Sequence, residues 1–296
     1  LHFSFSRLTM LREFFLSDLQ ETIELEGERH GIELRYNSPS KMMELLITKL
    51  VKKTGKKVVI IIDEYDSPFT SLLESDDRAF IGEVRAIFNS MYKTIKDMTG
   101  SIRMLFITGI VKLANLSIFS AMNNLRDISM DPMFAAAFGY TDKELSDYFG
   151  EGMDEYLEEH PGEYRSREEF QGKIREYYDG YRFSYMADES VYNPVSIGFF
   201  FTTYYEFRAW WIETGASTMA VNLARNNNLL ELLDDDRLFI SPDAFSVFDI
   251  DDIADGTLSS EGASAFLYYA GYLSIGTYED GMLGLVFPNN EVRRSF

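Results

Sequence analysis

Cysteine is absent from the 296 residues, so disulfides and thiolate metal sites are excluded. Histidine is nearly absent too: only His2, His30 and His160 occur, with no His-x3-His spacing to hold zinc on a helix face. All three read as ordinary surface or boundary residues. No apolar run approaches the roughly 20 residues of a membrane span, and no secretory leader pattern is present. Basic residues are the minority, 28 Lys+Arg against 48 Asp+Glu, which leaves a formal net charge of −20. That charge disfavours nonspecific binding to DNA, RNA or anionic lipid, because neutralising phosphates needs a basic surface. The missing cysteines agree with a reducing cytoplasm, the expected location. No internal repeat or low-complexity segment is visible.

What is present is a well-packed composition, 46% hydrophobic and 15% aromatic, which excludes a disordered chain and leaves room for two or three sub-domains. The chain is organised around residues 57–66, KVVIIIDEYD. An unbroken β-branched run reads as a strand buried on both faces, central in a parallel α/β sheet. In such sheets ligands bind beyond the carboxyl ends of the strands, where Asp63 and Glu64 fall. Apolar residues followed by Asp-Glu form the Walker B pattern of nucleoside triphosphatases. There the Asp orients hydrated Mg²⁺ and the Glu polarises the attacking water. The same residues also suit a buried strand whose last residues turn into solvent.

The elements around this strand follow a βαβ rhythm. Residues 1–5 alternate as a strand, and Leu8, Leu11, Phe14, Phe15 and Leu19 mark one face of a helix. Tyr36-Asn37-Ser38-Pro39 breaks it, Ser40 caps a second helix, and Thr54-Gly55 turns into the central strand. A long helix carries Val84, Ile87, Phe88, Met91, Tyr92 and Ile95, Gly100 ends it, and residues 102–110 form the next strand. A short helix is expected at 117–124 and a short strand at 126–130. Helical signals then dominate, opening on capping boxes at Thr141 to Glu144 and Ser166 to Glu169. Helices are expected at 195–205 and 218–233, with Thr214-Gly215 stopping the segment before the second. Asp234-Asp235-Asp236 reads as a solvated turn, since it lacks calcium-loop spacing. The tail shows a helix at 259–270, then strands at 272–276 and 283–287 around the hairpin signal Glu279-Asp280-Gly281. Helix followed by hairpin is how a winged helix ends. The acidic surroundings favour protein contact over DNA contact there. The predicted fold is therefore α/β: an incomplete parallel P-loop NTPase-like sheet flanked by helices, then a helical lid and a winged-helix-like α+β tail. The expected boundaries are 1–135, 136–240 and 241–296.

A Walker B strand should be accompanied by a phosphate loop, Gly-x4-Gly-Lys-Ser/Thr, and none occurs in these residues. Gly55-Lys56 comes nearest, but no glycine stands five residues before it and a strand follows at once. The loop is expected upstream of Leu1, and nucleotide affinity without it should be weak, since backbone amides and the loop lysine supply most phosphate binding. Thr108-Gly109, ending the next apolar strand, occupies a sensor position that can contact the attacking water or γ-phosphate. Lys112 is placed to reach the phosphates. Arg126 either faces them, faces a neighbouring subunit, or lies on the surface. Asp66 either joins the acidic site or caps the following loop. The Phe and Tyr stripes of the second half read as core.

In order along the chain, KKVVIIIDEYD, FITGI, SIFSAMNNLRDISM, FGYTDKEL, YDGYRF, VYNP, Thr214-Gly215, Gly271-Tyr272-Leu273 and PNNEVRRSF resemble the predicted AAA-ATPase-like family of bacterial proteins. The resemblance covers nearly the whole chain. It implies a phosphate loop at the start and, often, a restriction-endonuclease-like nuclease domain at the end. Neither lies within these residues, and no Glu-x-Lys or Asp-x-Lys pair for nuclease chemistry occurs. Carried over by resemblance, Asp63 is the Mg²⁺-orienting carboxylate, Glu64 the water-activating one and Thr108 the sensor, with ATP and Mg²⁺ as cofactors of the intact protein. The function implied is an ATP-driven switch, inactive as this fragment. Two alternatives stay open: a non-catalytic scaffold that holds or regulates a fused nuclease domain, and a DNA-binding winged helix.

Overall fold

The computed structural model describes residues 1–35, 38–72, 77–112, 125–211, 218–234, 238–245, 248, 252 and 257–295. The helix expected at 117–124, Thr214-Gly215 and most of the acidic turn at 234–236 lie outside them. Among the described residues no helix is long and apolar enough to cross a membrane. The chain divides into two compact units, 1–125 with 246–257, and 126–245 with 258–296.

The first unit is built on a parallel three-stranded sheet in the order β1 (His2–Ser4), β2 (Val58–Asp63), β3 (Ile102–Ile107). The β-branched run is thus central, as its sequence predicts. In register, Phe3 lies beside Ile62 and Ile62 beside Ile107, while Ile61 lies beside His2 and Phe106. Successive side chains alternate between faces. One face therefore presents Phe3, Ile60, Ile62, Leu105 and Ile107, and the other Val59, Ile61, Met104 and Phe106.

The first face is packed: Phe3, Ile60 and Ile62 are fully buried. It is covered by helices α1 (Arg12–Arg29), α2 (Pro39–Thr54) and, after the short α3 (Ser67–Thr70), α4 (Arg78–Asp97). Their aromatic residues interlock, with the Phe88 ring 5.0 Å from Phe5, 5.6 Å from Phe69 and 6.1 Å from Phe15. The second face is only half-buried, and Met104 is 49% exposed. Burial of β2 on both faces, expected from its composition, is realised on one. Helix α2 starts at Pro39, not after Ser40, because proline suits the first helical turn and Ser38 takes the cap position without a side-chain hydrogen bond.

The strand expected at 126–130 is a pair of turns. Asp127 accepts the Ser129 amide at 2.9 Å and Asp131 caps the 3₁₀ turn Pro132–Phe134, so side-chain oxygens take the donors a ladder would need.

The second unit is mainly helical. α5 (Asp142–Glu159) opens on the full capping box of Thr141 and Glu144, and α6 (Arg167–Tyr178) on Ser166. At the second start Glu169 reaches back to the Arg165 amide instead of Ser166, so that box is half formed. Asn193 caps α7 (Pro194–Thr202), which ends before the expected Tyr205 as Tyr204 and Tyr205 adopt positive φ. The helix expected across 218–233 is two, α8 (Thr218–Asn226) and α9 (Leu229–Asp234), parted where Asn228 turns left-handed.

Phe170, Tyr178, Tyr192, Phe200 and Trp210 form the centre of this unit with Leu145, Met153 and Ile174, so the aromatic stripes are core. The buried Glu291 joins distant segments by accepting from the Ser196 hydroxyl at 2.7 Å and the Trp211 amide at 2.7 Å. Helix α10 (Ser260–Tyr269) leads into the antiparallel hairpin β5 (Ser274–Glu279) and β6 (Met282–Val286), to which β4 (Phe239–Ile240) adds a third strand. Asp280 and Gly281, both at positive φ, make the two-residue turn that the sequence signals. The chain closes on α11 (Asn290–Arg293), where the Asn289 amide group donates to the Asp179 carbonyl at 2.8 Å.

Candidate functional site

At the carboxyl end of β2 the chain changes direction within two residues. Asp63 is the last strand residue and half-buried, on the half-buried face of the sheet that also carries Val59 and Ile61. Glu64 follows with φ 53°, a left-handed conformation unfavourable for a residue with a β-carbon, and its side chain is exposed. Thr108 sits just beyond β3 on the same face as Asp63 and meets it directly. Its amide donates to the Ile62 carbonyl at 2.9 Å, and its hydroxyl donates to Asp63 Oδ1 and accepts the Glu64 amide at 3.3 Å. Asp63 Oδ2 accepts nothing among the described residues, and Glu64 makes no side-chain hydrogen bond or ion pair among them. The result is a strand-end constellation of two carboxylates and one hydroxyl, in which one oxygen of Asp63 is oriented and the other left open.

Behind these residues the turn after β3 is bound to the turn after β2. The Tyr65 amide donates to the Thr108 carbonyl at 3.0 Å and its hydroxyl to the Val111 carbonyl at 2.5 Å. Asp66, 1% exposed, does not cap the following helix; its Oδ2 accepts both the Ile110 and Val111 amides at 2.9 Å. Burial pushes its carboxyl up to about 6, against the opposing pull of the backbone N–H groups of Val111, Ile110 and its own residue; the nearby Glu64 carboxylate pushes it the same way as burial. Tyr92, fully buried on α4, lies close enough to feel the Tyr65 and Asp66 charges, and its hydroxyl has no hydrogen-bond partner among the described residues. Gly109 is required by space: a β-carbon there would stand 2.5 Å from Asp66 Oδ1 and 2.5 Å from the Tyr65 ring.

Residues 1–119 match the family model described as predicted AAA-ATPase. This segment is similar to the predicted AAA-ATPase family. An uncharacterized protein in the vnfD 5′ region of Azotobacter chroococcum mcd 1 is 32% identical over 250 residues, which cover 81% of this chain and 42% of that protein. The chain thus spans less than half the length of this relative. No solved structure matches the chain.

In the AAA-ATPase-like segment the structure brings together Asp63, Glu64 and Thr108, three of the residues singled out from sequence. Lys112 follows on the same turn, half-buried, its carbonyl accepting the Phe248 amide at 2.6 Å. Arg126 belongs to the second unit, where its exposed guanidinium pairs with Asp131. Asp66 neither opens onto the strand-end carboxylates nor caps the following helix; it accepts the Ile110 and Val111 amides. The one signal that pointed to it was Gly109, readable as a turn glycine but not as the space for a buried carboxylate.

Among the described residues no group of three or more His, Cys, Asp and Glu could hold a metal ion by itself. A single open carboxylate oxygen is the donor set that suits Mg²⁺ shared with phosphates and water, as this ion keeps most of its hydration. Asp63 fits that part.

Proposed function

We propose that this chain forms the body of an ATP-binding, ATP-hydrolysing P-loop switch ATPase. The observation that carries the reading is the Asp63–Thr108 pair at the carboxyl ends of adjacent parallel strands, with Glu64 exposed beside it. Asp63 would hold Mg²⁺ through Oδ2, its orientation set by the Thr108 hydroxyl at Oδ1. When bound, the ion would neutralise charge developing on the β- and γ-phosphate oxygens. Glu64 accepts the proton of the attacking water, and Thr108 senses the γ-phosphate end of the site. Lys112 adds positive charge toward the phosphates. Arg126 faces the phosphates or a neighbouring subunit in this reading, and otherwise stays the exposed partner of Asp131.

In this reading the phosphate loop comes from sequence outside residues 1–296, because none of its form occurs within them. The apolar β3 forms an edge of the described sheet and none of its residues is fully buried, which suits a further strand beside it. The helical part of the second unit acts as a lid that nucleotide binding closes, and α10 with its hairpin as a winged-helix-like tail. The test is Glu64→Gln in the full-length protein: MgATP binding kept, turnover lowered at least about a hundredfold. Unchanged turnover would remove Glu64 from its role.

A second reading, a non-catalytic scaffold for a fused or separate nuclease domain, draws on exposed apolar side chains of the second unit, Met133 at 77%, Tyr204 at 94% and Phe138 at 62%. Calorimetric titration of the full-length protein with MgATP separates the two: tight binding with turnover supports the ATPase, and neither supports the scaffold.

A further inference from the structure

We infer that Asp66 is a positioning residue of the nucleotide site: a latch that binds the turn at 108–112 to the end of β2 and so holds the Thr108 hydroxyl on Asp63. The inference rests on the reading of Asp63 and Glu64 as nucleotide-facing carboxylates. It starts from a carboxylate buried where none is needed for local structure, since α3 is not capped by it.

Two successive amides, Ile110 and Val111, converge on a single oxygen of Asp66, the arrangement by which backbone donors cradle an anion. The Tyr65 hydroxyl ties the same turn from the other side through the Val111 carbonyl. Gly109, between Thr108 and these amides, lets the turn close against Asp66 and Tyr65. Thr108 is thereby held from two directions, by the ladder bond to Ile62 on one side and by the latch two residues on.

The titratable groups near Asp66 are the Glu64 carboxylate from its own segment and the Tyr92 hydroxyl from α4. No Lys or Arg pairs with it among the described residues. Its charge is therefore answered by backbone N–H groups alone. Bonds to an ionised acceptor are roughly twice as strong as neutral ones, so neutralising Asp66 loosens the turn in openings that leave Asp66 itself buried, without removing any side chain from the active face. Openings that carry Asp66 into water respond with the opposite sign, set by the relief of its burial.

The experiment uses the full-length protein and the Asp66→Asn and Asp66→Ala variants. Hydrogen exchange should be roughly tenfold faster at the 110 and 111 amides in Asp66→Ala, with Asp66→Asn between it and wild type. In Asp66→Asn, kcat for MgATP should fall about tenfold to a hundredfold while KM changes less than about threefold. Wild-type kcat should also lose activity on acidification through about pH 6, a limb missing from the Asn variant. Unchanged exchange at 110 and 111, or an Asn variant with wild-type kcat and pH profile, overturns the latch. Wild-type protein that neither binds nor hydrolyses MgATP overturns the ATPase reading and, with it, the catalytic part of the latch. Faster exchange in Asp66→Ala would still appear in that case, so the two failures are distinguishable.

Discussion

Asp66 and Tyr92 show how much a single buried polar group can decide. A carboxyl raised from 3.8 to about 6 binds its proton more tightly in the folded chain than in the unfolded one. Its contribution to stability is therefore fully present below about pH 4 and lost as pH rises through 6, amounting to about 3 kcal/mol. Relative to wild type, Asp66→Asn should gain stability between pH 4 and pH 8, read as a rising difference in urea unfolding free energy. A flat difference would show that the carboxyl is not raised. Tyr92→Phe removes a hydroxyl that has no partner among the described residues, so stability should stay level or rise by up to about 1 kcal/mol; a loss of 2 kcal/mol would reveal a partner. Gly109→Ala should cost roughly 1–3 kcal/mol, because the atoms it meets belong to a buried ring and a buried carboxylate that cannot easily give way. None of these three effects is legible in the sequence. Asp63 and Glu64 announce themselves by following an apolar run, whereas the partner of Asp66 lies more than forty positions downstream and is made of backbone.

At the scale of elements, local signals read well where they are self-contained. The β2 run, the Thr141 cap and the Asp280-Gly281 hairpin all appear where their residues place them, since each is decided within a few positions. Two kinds of element depart from their local signals. At 126–130 an apolar-polar alternation suggested a strand, but Asp127 and Asp131 supply closer acceptors than any neighbouring strand. Across 218–233 the helical periodicity continued through an asparagine run whose short amides favour the left-handed break. The half-buried second face of the sheet was equally hidden, as an apolar strand carries the same letters whether one face or both are covered. The hairpin offers an element-level test. Gly281→Val forces a β-branched residue into positive φ and should destabilise the protein by roughly 1–2 kcal/mol in thermal unfolding. A smaller loss would mean that the turn relaxes.

Over the whole molecule, the ordered series of motifs was more informative than any one of them. Several phrases of the second half prove to be couplings inside one unit: Asn193 of VYNP caps α7, Asp179 of YDGYRF receives Asn289 of PNNEVRRSF, and Glu291 holds Ser196. They specify a fold and not a chemistry. The proposed chemistry falls in the first unit, within the segment of the family match at 1–119. A net charge of −20 sets the outcome of one further measurement. In a gel shift at low salt, duplex DNA should remain unbound; a salt-sensitive complex would restore the winged-helix DNA reading.

The left-handed backbone at Glu64 has one more consequence. A chain shaped by folding alone would favour glycine or asparagine there, since any longer side chain gives up about 1 kcal/mol of comfort in that conformation. Replacing Glu64 with Gly should accordingly yield a hardier but idle protein, one that melts at higher temperature than its parent. The acid at this corner would then be something the molecule tolerates for its work and not for its shape.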